Sequence, residues 1–185
     1  LHSFPTRRSS DLMDPNDLRK KITRRTKAII PVHLYGHMAY MDEILEMAKK
    51  KNIKIIEDAS QSLGSKFKGK HSGTFSHLGC FSLYAGKVIT SGEGGAIVTD
   101  DKKLFEKLRQ IRNHGLAKNN LTTRLGLNLR LSEINAAIAK IQMKKLPRLI
   151  SQRKKNAQIL TDLLKNDEDR KSTRLNSSHA LISYA

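Results

Sequence analysis

Apolar residues recur at helical and strand spacings through the middle of this chain and lose that order at both ends. Within residues 38–52, Met41, Ile44, Leu45 and Ala48 fall at spacings of three, four and seven, which predicts an amphipathic helix with one inward face. Short apolar runs bracket it. KAIIPVH at 27–33 and IKIIE at 53–57 read as buried strands, the first ending in the turn Leu34-Tyr35-Gly36. Strand, helix and strand within about 30 residues make a crossover unit, which requires parallel strands and points to a doubly wound α/β sheet.

The pattern continues on either side. Residues 14–23 predict a short helix with Pro15 in its first turn, a position where a missing N–H costs nothing. Residues 78–83 and 96–99 read as short strands, and 101–113 as a helix with Leu104, Leu108 and Ile111 inward. Residues 114–126 show no period and read as a loop. Ser132 is an N-cap candidate ahead of Ile134, Ile138 and Ile141, opening a helix to Leu146. Pro147 is expected to interrupt that helix, with a second, lysine-rich helix over 148–164.

Residues 1–12 (LHSFPTRRSSDL) and 169–185 (DRKSTRLNSSHALISYA) have no apolar period and are rich in Ser, Arg and Thr. Both resemble the translation of common sequencing-library adapters. They are expected to be non-native tails, set aside in reading the fold, with no ordered contact to the rest because neither has an apolar face to bury. The segment between them is then an interior piece of a longer protein.

Composition changes this picture little. The formal charge is +18, or +15 once the tails' net +1 and +2 are set aside. The lysines and arginines are scattered as runs at 49–51, 102–103, 144–145 and 153–155, along polar faces and helix ends where cations complement the helix dipole. Nucleic-acid binders concentrate charge on one face and interleave it with aromatics. Aromatics are 5% here and none interleaves the clusters, so a nucleic-acid partner is not expected. The single cysteine, Cys80, excludes a disulfide framework, fits a reducing, cytoplasmic setting, and reads as a small buried residue. No apolar run approaches the roughly 18 residues of a membrane span, so no membrane partner is expected. His71 and His77 lack partners at metal-ligand spacing, and no metal is expected.

Chemistry concentrates in two stretches, IIEDASQSLGS at 55–65 and FSLYAGKVITSGEGG at 81–95. Ligands of parallel α/β sheets bind beyond the carboxyl ends of the strands. Asp58 follows a strand directly, so its carboxylate belongs at that edge, where it can cap a helix, ligate a metal or pair with a protonated ring nitrogen. Lys87 is delivered from an apolar strand into a Gly/Ser/Thr-rich turn. A desolvated lysine amine can act as a nucleophile and Schiff-base former.

Five blocks carry a closer resemblance: PVHLYG (31–36), EDASQS (57–62), GCFSLYAGKVITSGEGGAIVTD (79–100), RNHG (112–115) and GLNLRLSEINAAI (126–138). In order and spacing they resemble the DegT/DnrJ/StrS family of nucleotide-sugar aminotransferases, which depend on pyridoxal 5'-phosphate (PLP). The resemblance implies that Lys87 is the catalytic residue that bonds the cofactor covalently, that Asp58 pairs with the ring nitrogen, that Gln61 bonds the phenolic oxygen, and that Ser82 bonds the phosphate. Asn128 would reach the phosphate of the other subunit, so the partner is a second copy in a homodimer with shared sites. His33, Tyr35, Glu93 and His114 lie in matching blocks without an assigned role.

The implied fold is α/β: part of the large domain of a fold-type-I aminotransferase, a mostly parallel sheet flanked by helices, truncated at both ends. Residues 13–146 would be the partial PLP-binding domain and 147–168 a helix leading toward a missing small domain. Tyr40 stands where the family commonly has aspartate, and Ser76-His77 where Gly-Asp is frequent. The family's phosphate-binding Gly-Thr turn and its ring-stacking residue have no counterpart here. The implied activity moves an amino group from an amino acid, glutamate by expectation, to a nucleotide-linked ketosugar for surface polysaccharide, lipopolysaccharide or antibiotic sugars. The alternatives are a PLP-dependent sugar dehydratase of the same fold, which lacks the lysine, and a non-enzymatic basic binding fragment.

Overall fold

The computed structural model describes residues 12–118 and 120–164. The first helix, α1 (Pro15–Lys21), is capped by Asp14, whose carboxylate accepts from the Asn16 N–H. Strand β1 (Ala28–Ile29) leads into α2 (Met41–Lys50), which returns to β2 (Lys54–Asp58). β1 and β2 pair in parallel, as the crossover pattern requires.

β1 is shorter than the predicted 27–33. Pro31 has no N–H and breaks the ladder, which resumes only as a parallel bridge between Val32 and Asp58. α2 also starts three residues late. The Ala39 N–H is spent on the His33 ring, 3.1 Å away, which holds 38–40 out of the helix. The buried face of α2 is Met41, Ile44, Met47 and Ala48, with Leu45 half-buried. Met41, Ile44, Leu45 and Ala48 pack with Ile29, Ile53 and Ile55 in one core cluster. Burying each large side chain there contributes about 1.5–3 kcal/mol.

Beyond β2, a two-stranded hairpin of β3 (Lys66–Phe67) and β4 (Lys70–His71) was not foreseen. Its turn residues, Lys68 and Gly69, both have positive φ, 50° and 80°, as a two-residue hairpin turn demands. Strand β5 (Leu78–Ser82) then joins β2 in parallel, and β6 (Gly95–Val98) closes the sheet antiparallel to β5, giving the order β1-β2-β5-β6. Gly79 passes so close to the Gly73 backbone carbonyl that a Cβ has no room. Gly79→Ala is therefore expected to destabilise the chain by about 1–3 kcal/mol, the range for overpacking, read as a lower urea midpoint with unchanged slope.

α3 (Lys102–Arg112) is capped by Asp101, whose carboxylate accepts from the Lys103 and Leu104 N–H groups. Its predicted inward residues are only half-buried. The last helix, α4 (Glu133–Leu164), contains Pro147 and does not break there, so the predicted interruption is corrected. Leu146 on one side of the proline and Leu149 and Ile150 on the other pack on a second cluster with Leu83 and Ile89. That packing spans the proline and offsets its lost helical bond. Ser132 caps α4 as expected, its Oγ accepting from the Asn135 N–H at 3.1 Å, but Ile134, Ile138 and Ile141 are exposed.

The predicted non-native tails lie almost wholly outside the described residues. Leu12, assigned to the first of them, is described and is buried at 7% exposure.

Candidate functional site

The sheet order puts the carboxyl ends of β1, β2 and β5 side by side, because all three run the same way. Asp58 is paired in register with Cys80, and Ser82 lies two residues further along β5. Asp58, Cys80 and Ser82 therefore share one face of the sheet. The opposite face at β2 carries Ile55 and Glu57, both buried, with Ile55 packed in the cluster with α2.

The Asp58 backbone is clamped on both sides: its N–H donates to the Pro31 carbonyl at 2.9 Å, and its carbonyl accepts from the His33 N–H at 3.0 Å. Its Oδ1 accepts from the Ser60 N–H at 3.0 Å. Oδ2 has no protein partner among the described residues, which leaves one oxygen of a half-buried carboxylate open toward the sheet edge. Burial, and then the Asp58 charge, push the Cys80 thiol pKa up. Cys80 is half-buried rather than fully enclosed, because the face it shares with Asp58 is only partly covered.

Gln61 sits in the turn after β2. Its Oε1 accepts from the Tyr35 N–H at 3.2 Å. Tyr35 adopts a left-handed conformation, φ 51°, in a two-residue turn closed by Leu34 and His37. With Oε1 occupied, the Gln61 amide presents N–H groups, suited to an anionic oxygen. Ser82 Oγ accepts from the Tyr84 N–H at 3.3 Å, so its own hydrogen remains free to donate.

Lys87 rides on a loop pinned at its neck. Leu83 donates to the Gly94 carbonyl and accepts from the Ser91 N–H, both at 2.9 Å, while the Thr90 hydroxyl also donates to the Leu83 carbonyl. Ile89, 1% exposed, anchors the loop in the cluster with Leu83 and Leu146. Lys87 itself is half-buried, and its ammonium has no ion pair or hydrogen bond with the described residues. A lysine held on a fixed loop with no protein partner is available to a ligand.

Asn128 is not brought to this edge by any bond. It is exposed, bridges Asn113 at the end of α3, and accepts from Arg130 Nε at 3.0 Å. Glu93 is tied to α4 through its carbonyl, which accepts from Asn135 at 3.4 Å. His114 is exposed with φ 55°.

Glu57 was missed as a site residue. Its carboxylate is fully buried and accepts from His33 Nε2 (3.0 Å), Gly73 N–H (2.8 Å), Phe75 N–H (2.7 Å) and Ser76 Oγ (2.9 Å). Burial pushes its pKa up, but bonds from His33, Ser76, Gly73 and Phe75 outweigh burial and hold it below the usual glutamate value. Strand alternation was the available signal: Glu57 falls on the same face as Ile55, and a carboxylate on a buried face must have partners.

Among the described residues, no cluster of three or more His, Cys, Asp or Glu could hold a metal ion, and no helix is long and apolar enough to cross a membrane.

Known proteins resemble this chain in sequence and in shape. The chain is 42% identical over 149 residues to GDP-perosamine synthase of Escherichia coli O157:H7, covering 80% of this chain and 41% of that protein. Among solved structures it superposes on PseC of Helicobacter pylori, an aminotransferase of pseudoaminic acid biosynthesis, with a TM-score of 0.84 and 34% identity over 87% of this chain and 44% of that one. It also superposes on the E. coli GDP-4-keto-6-deoxy-D-mannose-3-dehydratase with bound hydrated PLP, with a TM-score of 0.76 and 36% identity over 84% of this chain and 45% of that one. The chain thus spans less than half the length of these relatives, which include nucleotide-sugar aminotransferases and a sugar dehydratase. A family model matches residues 7–185, and with the α/β architecture and the site edge described above, the chain belongs to the DegT/DnrJ/EryC1/StrS aminotransferase family.

Proposed function

We propose that this chain is the cofactor-binding part of a PLP-dependent aminotransferase that moves an amino group from an amino acid, glutamate by expectation, to a nucleotide-linked ketosugar. What supports the reading is the placement of Asp58, Gln61, Ser82 and the loop of the unpartnered Lys87 at and beyond the carboxyl ends of the parallel strands β2 and β5. Their open valences suit the cofactor: an anionic oxygen for a protonated ring nitrogen, amide hydrogens for a phenolic oxygen, a hydroxyl hydrogen for a phosphate and an amine for an aldehyde.

When bound, the cofactor supplies an electron sink for the carbon that carries the amino group. Asp58 holds the positive charge on the ring nitrogen that makes this sink effective. Gln61 orients the ring, and Ser82 contributes one bond to its phosphate. Lys87 would hold the aldehyde, and its amine would be the general base and acid that moves the proton on and off the reacting carbon. Asn128 completes the phosphate site of a second copy in a homodimer, a role in keeping with its exposure. Residues 147–168 would lead toward a small domain. The products would serve surface polysaccharide, lipopolysaccharide or antibiotic sugars, made in the cytoplasm.

The dehydratase reading draws on the structural neighbour that performs that reaction, but that chemistry accompanies loss of the lysine, and Lys87 is present. A basic binding role has only charge behind it. In the full-length protein, Lys87→Ala is expected to abolish the visible absorbance of the lysine-bound cofactor and reduce amino transfer to background. Intact absorbance and turnover in that variant would refute the assignment.

A further inference from the structure

Glu57 and His33 form the most enclosed polar pair among the described residues, both side chains 0% exposed. His33 Nδ1 accepts from the Ala39 N–H at 3.1 Å while Nε2 meets Glu57 Oε2 at 3.0 Å. The backbone donor at Nδ1 dictates the tautomer: the imidazole is neutral, its hydrogen is on Nε2, and that hydrogen is donated to Glu57. Adding a second ring hydrogen would set two donors against each other at Ala39.

The same pair joins the chain segments that hold Asp58. The His33 N–H donates to the Asp58 carbonyl, and the Asp58 N–H donates to the Pro31 carbonyl. Glu57 precedes Asp58 on β2, so the two carboxylates leave the strand on opposite faces. Glu57 also draws in the 73–76 turn through Gly73, Phe75 and Ser76, and Gly73 lies against Gly79 of β5. The covered face of the sheet is thereby braced across β1, β2 and β5 directly behind the residue that faces the ligand edge.

We propose that Glu57 and His33 are positioning residues for Asp58: the neutral, Nε2-protonated imidazole, held between Glu57 and Ala39, locks residues 31–33 against the end of β2 and fixes the direction in which the Asp58 carboxylate leaves the sheet. This rests on the reading of Asp58 as the partner of the cofactor ring nitrogen. A charge partner of that kind acts only if held within about 0.5 Å of its productive place, and the Asp58 side chain has a single bond of its own, to Ser60. The precision comes from the backbone, and the backbone is held by the pair behind it.

The test uses the whole 185-residue chain, labelled for NMR. In the unmodified chain, the His33 ring is expected to carry its hydrogen on Nε2, with Nδ1 accepting from Ala39; an Nδ1–H form overturns the proposal without any variant. In Glu57→Gln, whose amide group opposes the Phe75 N–H, exchange of the His33 and Asp58 amide hydrogens should quicken at least about tenfold, and the Asp58 carboxyl carbon signal should move, while Leu108 in α3 keeps its wild-type exchange. Uniform quickening that includes Leu108, or an unmoved Asp58 signal, would assign the pair a purely structural role and overturn the proposal. If Glu57→Gln fails to fold, His33→Gln retains a donor for Glu57 but loses the acceptor for Ala39, and the same Asp58 signal decides. Pyridoxal phosphate added to the full-length protein tests the cofactor reading separately: no visible absorbance of a lysine-bound cofactor there, with the variant results as expected, supports positioning and strikes the cofactor assignment.

Discussion

Asp58→Asn in the full-length enzyme is expected to lower turnover at least about 100-fold, the scale of losing one preorganised electrostatic partner in a water-poor site, while leaving the fold intact. The substitution keeps size and shape. The backbone clamp from Pro31 and His33 does not involve the side chain, and the Ser60 N–H can still be accepted by the amide oxygen. What disappears is the negative charge. The oxygen without a protein partner becomes an NH2 group that cannot balance a protonated ring nitrogen, and the loss weighs most where charge builds up in the transition state. Steady-state kinetics beside a thermal melt checks this: near-normal turnover with a normal melt would reduce Asp58 to a turn-forming residue whose work ends at Ser60.

The chain by itself is expected to bind PLP weakly and to show no measurable amino transfer. Lys87 can bond the aldehyde, but affinity for this cofactor depends on clamping its phosphate and stacking its ring. The resemblance places the groups for both in segments this chain does not contain, and it spans 41% of the length of its perosamine synthase relative. Ser82 supplies one phosphate bond, and a second copy's Asn128 another. Losing three or four bonds to a charged group, each contributing about 1.5–3 kcal/mol, weakens affinity by several powers of ten. The outer edge of β6, with Ile97 52% and Val98 37% exposed, has no strand beside it among the described residues and should also promote aggregation. Titrating the purified chain with PLP while following its visible absorbance decides the point. Saturation at low micromolar cofactor together with turnover of a ketosugar would overturn it.

Periodicity by itself determined the crossover from β1 through α2 to β2, because burying one helical stripe and two short apolar runs leaves few arrangements. It also determined the cap at Ser132, since a short oxygen-bearing side chain before an apolar stripe satisfies orphan N–H groups locally. The placement of Asp58 at a strand end and of Lys87 on a Gly-rich loop followed from the same local reading, and five blocks in order sufficed to mark the family. What depends on distant partners was decided only by the tertiary structure. Pro147 looks like a break until Leu146, Leu149 and Ile150 are seen packing on either side of it. The stripe Ile134, Ile138, Ile141 looks inward until its face is found exposed. Local pattern specifies which residues want burial and not what covers them. Glu57 shows the same division: alternation on β2 put a carboxylate on the buried face, but only the fold could bring His33 and the turn of Gly73, Phe75 and Ser76 to it from two separate stretches, because a buried charge is tolerated where the chain returns to satisfy it.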